Sequence, residues 1–363
     1  MQKPEPKLMH MPEHLKQLIT DRTPDVRTKL AVSQMSKGFQ SRVVGSPITY
    51  EEVNVKVRPL EEKVTVTIKE TVREPYIVEH YTNLVMEFTA HENGVLQRNP
   101  SSNWEKVLPE KDYRKAAVQY LLGLMRPKAK TGKLSLEWDR MQGFERSWLD
   151  DFFWRYPKRK FEEDRKVIMD EIEQGLQAKQ NQLLVGKITT RFRTTTAHIL
   201  QILPYLQPGT LTEIEVDEAF ESGFRKPKLT SLDQIFETEQ WKQAKCIFLS
   251  NYDCDISFEQ WAHFTTVKIY RHRPIMTAKN FLETFLNRPQ FDQLTVFCSG
   301  RFDRTGLSDY VAQLNLESQS NNDDIKSIIR MPDEPLTRIR ATINEHGIWL
   351  RRSNLDFSKP LLA

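Results

Sequence analysis

Apolar residues between Phe264 and Val296 follow two periods in turn. Phe264, Val267 and Ile269 open the stretch, and Phe291, Leu294 and Val296 close it with the same spacing. Apolar positions two apart lie on one face of a strand. Between them Ile275, Ala278, Phe281, Leu282, Phe285 and Leu286 recur at steps of 3, 3, 1, 3 and 1, a helical stripe. Pro274 suits a first helical turn, and Asn287-Arg288-Pro289 ends the pattern. The spacing predicts a helix over 275–286 packed on two neighbouring parallel strands, because a crossover of this length joins parallel neighbours.

The triplet recurs. Leu211, Ile214 and Val216 have its spacing, as do Ala244, Ile247 and Leu249; Leu134, Leu136 and Trp138 form a weaker copy, and 183–192 is a further candidate. Starts at 211, 244, 264 and 291 give steps of 33, 20 and 27, around the roughly 20–29 residue period of leucine-rich-repeat-like solenoids. An ordinary α/β domain is the alternative. The joint recurrence of strand and helix favours an α/β chain built as an irregular strand-helix solenoid.

Residues 48–98 read as β. Val53, Val55 and Val57 alternate, as do Val64, Val66 and Ile68, and Asn93-Gly94 signals a tight hairpin. A similar hairpin is expected around Glu345-His346-Gly347. Hairpins near each end would cover the edges of the solenoid. A long charged helix is expected over 161–182, with Phe161, Val167, Ile168, Ile172 and Leu176 as a narrow stripe on a partly solvated element.

Residues 9–43 read as a small helical unit. Its apolar positions are Leu15, Leu18 and Ile19, then Leu30, Val32, Met35, Phe39 and Val43; Thr23 can cap a helix that Pro24 starts. So short a unit needs a docking surface. Met11-Pro12, Leu15, Leu18-Ile19, Leu30, Met35-Ser36-Lys37 and Phe39 resemble a divergent F-box, with Met35 where Val is usual and Asp21-Arg22-Thr23 in place of a Leu. A second resemblance covers about 115–310. Ile199-Leu200, Leu203, Leu206, Pro208-Gly209-Thr210-Leu211 and then Glu239-Gln240-Trp241-Lys242, followed by the Phe264 triplet, are similar to the FTH (DUF38) domain. F-box then FTH is the order in a large family of nematode F-box proteins. The domains implied are 1–47 F-box-like, 48–110 β-rich linker or cap, 111–310 FTH-like, and 311–363 a C-terminal segment with a hairpin.

The resemblance implies a substrate-recognition subunit of a cullin-type ubiquitin ligase. Met11, Pro12, Leu15, Leu18, Ile19, Leu30, Met35 and Phe39 would hold a Skp-family adaptor, and the FTH-like surface a protein substrate. Tyr270, Arg271, His272 and Arg273, just after a strand, are a candidate substrate rim. The alternatives are a non-catalytic scaffold with a degenerate F-box, favoured by the missing Leu, and a weak nucleic-acid binder using the basic residues around Lys158.

Composition narrows the classes. At 39% hydrophobic over 363 residues the chain is globular. A net charge of +4 does not point to nucleic acid. Trp138, Trp148, Trp154 and Tyr156 lie near Lys158-Arg159-Lys160, but Glu162, Glu163 and Asp164 follow at once and cancel that field. Cys246, Cys254 and Cys298 have no metal spacing and suit a reducing, intracellular compartment in cytoplasm or nucleus. No stretch reaches the roughly 18 apolar residues of a membrane span. Asp253-x-Asp255-x-Ser257 fails as a calcium loop at Phe258 and Phe264. No catalytic constellation and no cofactor motif is present, so a non-enzyme with no cofactor and no metal is expected.

Overall fold

The computed structural model describes residues 48–72, 80–125, 129–138, 155–179, 181–191, 196–217, 233–250, 258–271, 277–288, 290–298, 304–313, 317–321, 324–331, 334–344 and 346–354. The F-box-like residues Met11 to Phe39 lie outside them. The chain forms two compact units: the described residues up to Ile188 with Gln201–Leu211, and Thr189–Leu200 with those from Thr212 onward.

The first unit is a mixed sheet in the order β7-β6-β1-β2-β3-β4-β5. Its strands are β1 (Ile48–Arg58), β2 (Lys63–Val72), β3 (His80–His91), β4 (Gly94–Asn99), β5 (Trp104–Leu108), β6 (Ala129–Trp138) and β7 (Leu184–Arg191), of which Thr189–Arg191 belong to the second unit. β1 pairs parallel with β6 and antiparallel with β2. Val53, Val55 and Val57 of β1 pair with Ile68, Val66 and Val64 of β2, and all six are buried. β3 turns into β4 close to the expected place, but through Glu92 and Asn93 rather than Asn93 and Gly94: His91 pairs with Gly94, which already opens β4. Gly94 has φ +138, and a Cβ there would lie 2.0 Å from the Leu108 carbonyl oxygen, so the position needs glycine.

Helices α1 (Tyr113–Leu124) and α2 (Arg155–Gln177) pack on each other, and α1 lies on β2, β3 and β4. Asp112 caps α1 by accepting from the Arg114 amide at 2.9 Å. Ile168, Met169, Ile172 and Leu176 of α2 are buried while Glu162, Glu163, Lys166 and Gln174 are exposed, the narrow stripe on a partly solvated helix that was expected. Asp164 falls on the same stripe and is fully buried, accepting from the Tyr113 hydroxyl at 2.9 Å and Arg114 Nη1 at 2.8 Å. That network joins the two helices and satisfies a carboxylate that has no access to water. Lys179 donates to the carbonyls of Leu122 and Met125 at the C-terminal end of α1.

The second unit is a mixed sheet in the order β12-β13-β14-β15-β11-β10-β9-β8. Its strands are β8 (Glu213–Asp217), β9 (Cys246–Ser250), β10 (Thr266–Arg271), β11 (Gln293–Cys298), β12 (Glu317–Asn321), β13 (Asp324–Met331), β14 (Glu334–Asn344) and β15 (Gly347–Asn354). The helices are α3 (Thr196–Leu200), α4 (Asp233–Phe236), α5 (Glu239–Gln243), α6 (Phe258–Trp261), α7 (Ala278–Leu286) and α8 (Leu307–Gln313).

β8 to β11 pair in parallel, and the apolar triplets align across them. Ile214, Ile247, Val267 and Leu294 form one row, Val216, Leu249, Ile269 and Val296 the next, and all are buried. The predicted parallel pairing of the strands flanking α7 is therefore present. Thr277 caps α7 by accepting from the Asn280 amide at 3.2 Å, so the helix starts at Ala278; Ile275 lies outside the described residues. Phe281, Leu282 and Phe285 are buried, and Phe285 stacks on Phe291 at 5.9 Å.

The expected solenoid is overturned. Antiparallel β15 pairs with β11 and continues both aliphatic rows through Leu350 and Ile348. The hairpin expected as an edge cover is thus an inner part of the sheet, and the Asn93-Gly94 hairpin likewise belongs to the first sheet. α4, α5 and α6 have only 4, 5 and 4 residues, too little for a repeated helical layer. Strand pairing, not helix stacking, dominates both units. Among the described residues no helix is long and apolar enough to cross a membrane.

Candidate interaction surface

The alternation that buries one side of β8–β11 and β15 fixes what the other side carries. Three outward rows follow from the register. Glu213, Cys246, Thr266, Gln293 and Arg351 form the first; Glu215, Phe248, Lys268, Thr295 and Trp349 the second; Asp217, Ser250 and Tyr270 the third. β14 extends the face with Arg340, Thr342 and Asn344. This face is acidic at β8, aromatic in its middle and basic at β14 and β15.

Phe248 and Tyr270 meet edge to face at 5.4 Å, a favoured aromatic geometry. Both are half-buried, as is Trp349. Burial pushes the Tyr270 hydroxyl pKa up, and the nearby Asp217 charge adds to it. At the acidic end Glu215 accepts from the Thr189 hydroxyl at 3.4 Å and pairs with Arg191 at 3.6 Å. Aromatic side chains with a polar tip, half out of water, are the kind that concentrate binding energy at protein interfaces.

Tyr270 of the candidate rim lies on this face. Arg271 ends β10 opposite Cys298; His272 and Arg273 lie outside the described residues, as do all eight F-box-like positions. Phe248, Trp349, Arg340 and Arg351 belong to no motif of the sequence. A signal was present: Phe248 sits between Ile247 and Leu249, and Trp349 between Ile348 and Leu350, where an alternating strand with a solvated face carries polar residues.

Of the aromatic–basic cluster near Lys158, Trp138 and Lys160 are the members with described side chains. Trp138 is buried in β6, and Lys160 pairs with Glu62 at 3.0 Å. Trp148 lies outside the described residues, as does Trp154. Cys246 is a free, half-buried thiol, and Asp253 to Ser257 lie outside the described residues. Among the described residues no group of three or more His, Cys, Asp or Glu could hold a metal ion.

Two of the motif segments have clear local roles. Gly209, in Pro208-Gly209-Thr210-Leu211, adopts φ +76, a left-handed value that favours glycine, in a turn closed by the Leu211 amide donating to the Gln207 carbonyl at 3.2 Å; the chain then runs through buried Leu211 to the start of β8. Trp241 is buried, donates its indole N–H to the Gln260 carbonyl at 3.0 Å and packs edge to face on Phe264 at 5.0 Å. Thr238 caps α5 by accepting from the Trp241 amide at 3.3 Å. His263 Nε2 donates to the Trp241 carbonyl at 2.8 Å.

Residues 166–331 match the family model of the FTH domain. The match runs from within α2 to the end of β13, beginning and ending later than the 115–310 expected from the motifs. It contains both segments just described and strands β8 to β11. No curated protein and no solved structure matches the chain.

Proposed function

We propose that this chain is the substrate-recognition subunit of a cullin-type ubiquitin ligase. Its N-terminal segment holds a Skp-family adaptor, and the outward face of β8–β11 and β15 holds a protein substrate. The carrying observation is the FTH match at 166–331 downstream of a segment with F-box order, Met11-Pro12, Leu18-Ile19 and Met35-Ser36-Lys37-x-Phe39. The aromatic middle of the sheet face supports a binding role. The protein then performs no bond chemistry: it raises the local concentration of substrate at the ligase, an effective-concentration effect.

A scaffold that binds its partner without an adaptor is the second reading, favoured by Asp21-Arg22-Thr23 where a Leu is usual. Co-purification with a Skp-family adaptor separates the two. The wild-type chain is expected to bind, and Leu18→Asp with Phe39→Ala to abolish binding while circular dichroism stays unchanged, since interface energy concentrates in a few buried anchors. Absence of wild-type binding at micromolar concentration removes the ligase reading and leaves the scaffold.

A further inference from the structure

We propose that the β14–β15 end of the outward face docks an acidic protein segment that carries an apolar side chain, its carboxylates on Arg340 and Arg351 and its anchor on Trp349. This rests on the reading of that face as the partner-binding surface and names the chemistry of what it binds. Arg340 and Arg351 are direct cross-strand partners, and both are exposed. Arg338, two residues along β14, lies on the same face. Like charges directly opposite each other in an antiparallel pair repel. Among the described residues neither Arg340 nor Arg351 has a carboxylate within ion-pair distance. A carboxylate placed between the two guanidiniums removes that repulsion and gains charge-assisted hydrogen bonds.

Trp349 stands two residues from Arg351 on the same face, half-buried, beside Thr342 of β14. It offers a broad apolar surface next to the cationic pair, and Trp and Arg are among the residues most enriched where binding energy concentrates. The other end of the face decides the class of partner. β8 lies five strand positions from β14, about 24 Å at the usual strand spacing, and carries Glu213, Glu215 and Asp217 outward. A nucleic acid crossing this face would bring phosphates onto those carboxylates. A protein segment of about seven extended residues spans the same distance and can confine its acids to the arginine end.

The test uses the full chain and two fluorescein-labelled peptides, Glu-Glu-Phe-Glu-Ser-Gly-Thr, whose acids lie at one end, and a counterpart with every acid replaced by Lys, read by fluorescence anisotropy at physiological ionic strength. The acidic peptide is expected to bind saturably and the lysine peptide not. Arg340→Glu with Arg351→Glu, and separately Trp349→Ala, are expected to weaken binding at least about tenfold. Arg351→Glu alone turns a repulsive cross-strand pair into an attractive one, so its melting temperature is expected to hold or rise while binding falls. That combination separates loss of the site from loss of the fold. The proposal is overturned if neither peptide binds, if both bind alike, or if the arginine variants bind as wild type does. It is also overturned if a single-stranded oligonucleotide of equal charge competes as well as the acidic peptide, or if Arg351→Glu lowers the melting temperature. Adaptor binding is not read in this assay, so its failure and the failure of the ligase reading are distinct results.

Discussion

Leu294→Ala tests the packing beneath the candidate surface. Leu294 is fully buried on β11, between Val267 of β10 and Leu350 of β15, which are buried as well. The substitution removes three carbons from a row closed on both sides by neighbouring strands. At about 0.8 kcal/mol per methylene the transfer loss is about 2.4 kcal/mol. A residual cavity of about 50 Å³ at about 24 cal/mol per Å³ adds about 1.2 kcal/mol. The expected cost is therefore about 3.5 kcal/mol, within the roughly 2–5 kcal/mol span of buried Leu→Ala changes. Because the chain has two compact units, the assay has to be local. Urea unfolding gives the total, and hydrogen exchange resolved to the peptides of β10 and β11 assigns it to the second unit. A loss below about 1 kcal/mol, or faster exchange in the first unit only, would show that this row does not form the core of the second sheet.

Two further outcomes are expected. Gly94→Ala forces a side chain into φ +138 and against the Leu108 carbonyl; it should cost about 1–3 kcal/mol in thermal melts and expose β5 to proteolysis, and an unchanged melt contradicts the turn geometry. Glu87 accepts from Lys63 at 2.6 Å and Arg98 at 2.9 Å; burial raises its pKa, but those bonds outweigh it and hold the carboxyl below the usual glutamate range. A depressed folded pKa means the ionised form stabilises the fold above the unfolded pKa, and this is lost as pH falls through the folded value. Glu87→Gln should cost up to about 1 kcal/mol at pH 7, with the two melting curves converging below about pH 4; a gap as wide at pH 3 as at pH 7 refutes it.

Local pattern made much of this fold legible. The triplets at Leu211, Ala244, Phe264 and Phe291 mark four strands that lie side by side in register, and Asn93-Gly94 marks a real hairpin whose turn sits one residue earlier, at Glu92-Asn93. Strand order was not legible in the same way. A parallel run has the same periodicity in a solenoid and in a mixed sheet, and the difference lies in what covers its last edge. Here that is β15, whose alternation says only that it is a strand, not that it pairs with one about 50 residues earlier in the chain. Asp164 shows a different limit. Beside Glu162 and Glu163 it reads as part of a charge run, yet it lies four residues before Ile168 and eight before Ile172, on the buried stripe of α2. Its helical phase carried the signal, and its charge hid it. For the surface, Tyr270 was legible as the end of a strand. Phe248 and Trp349 became visible only once the opposite face was known to be covered.

The place of β15 between β14 and β11 has a consequence for how the protein is made. β11 ends at Cys298 and β15 begins at Gly347, so 49 residues must be added before β11 gains its second neighbour. At roughly 5–20 residues per second that is an interval of about 2–10 s. During it the hydrogen-bonding edge of β11 stands open beside the apolar row of Leu294 and Val296, a template for pairing with another nascent chain. Chaperone demand is therefore expected to peak late in synthesis. A chain that stopped before Gly347 would lack the strand that joins β11 to β14, and each of those two would be left with an unpaired edge.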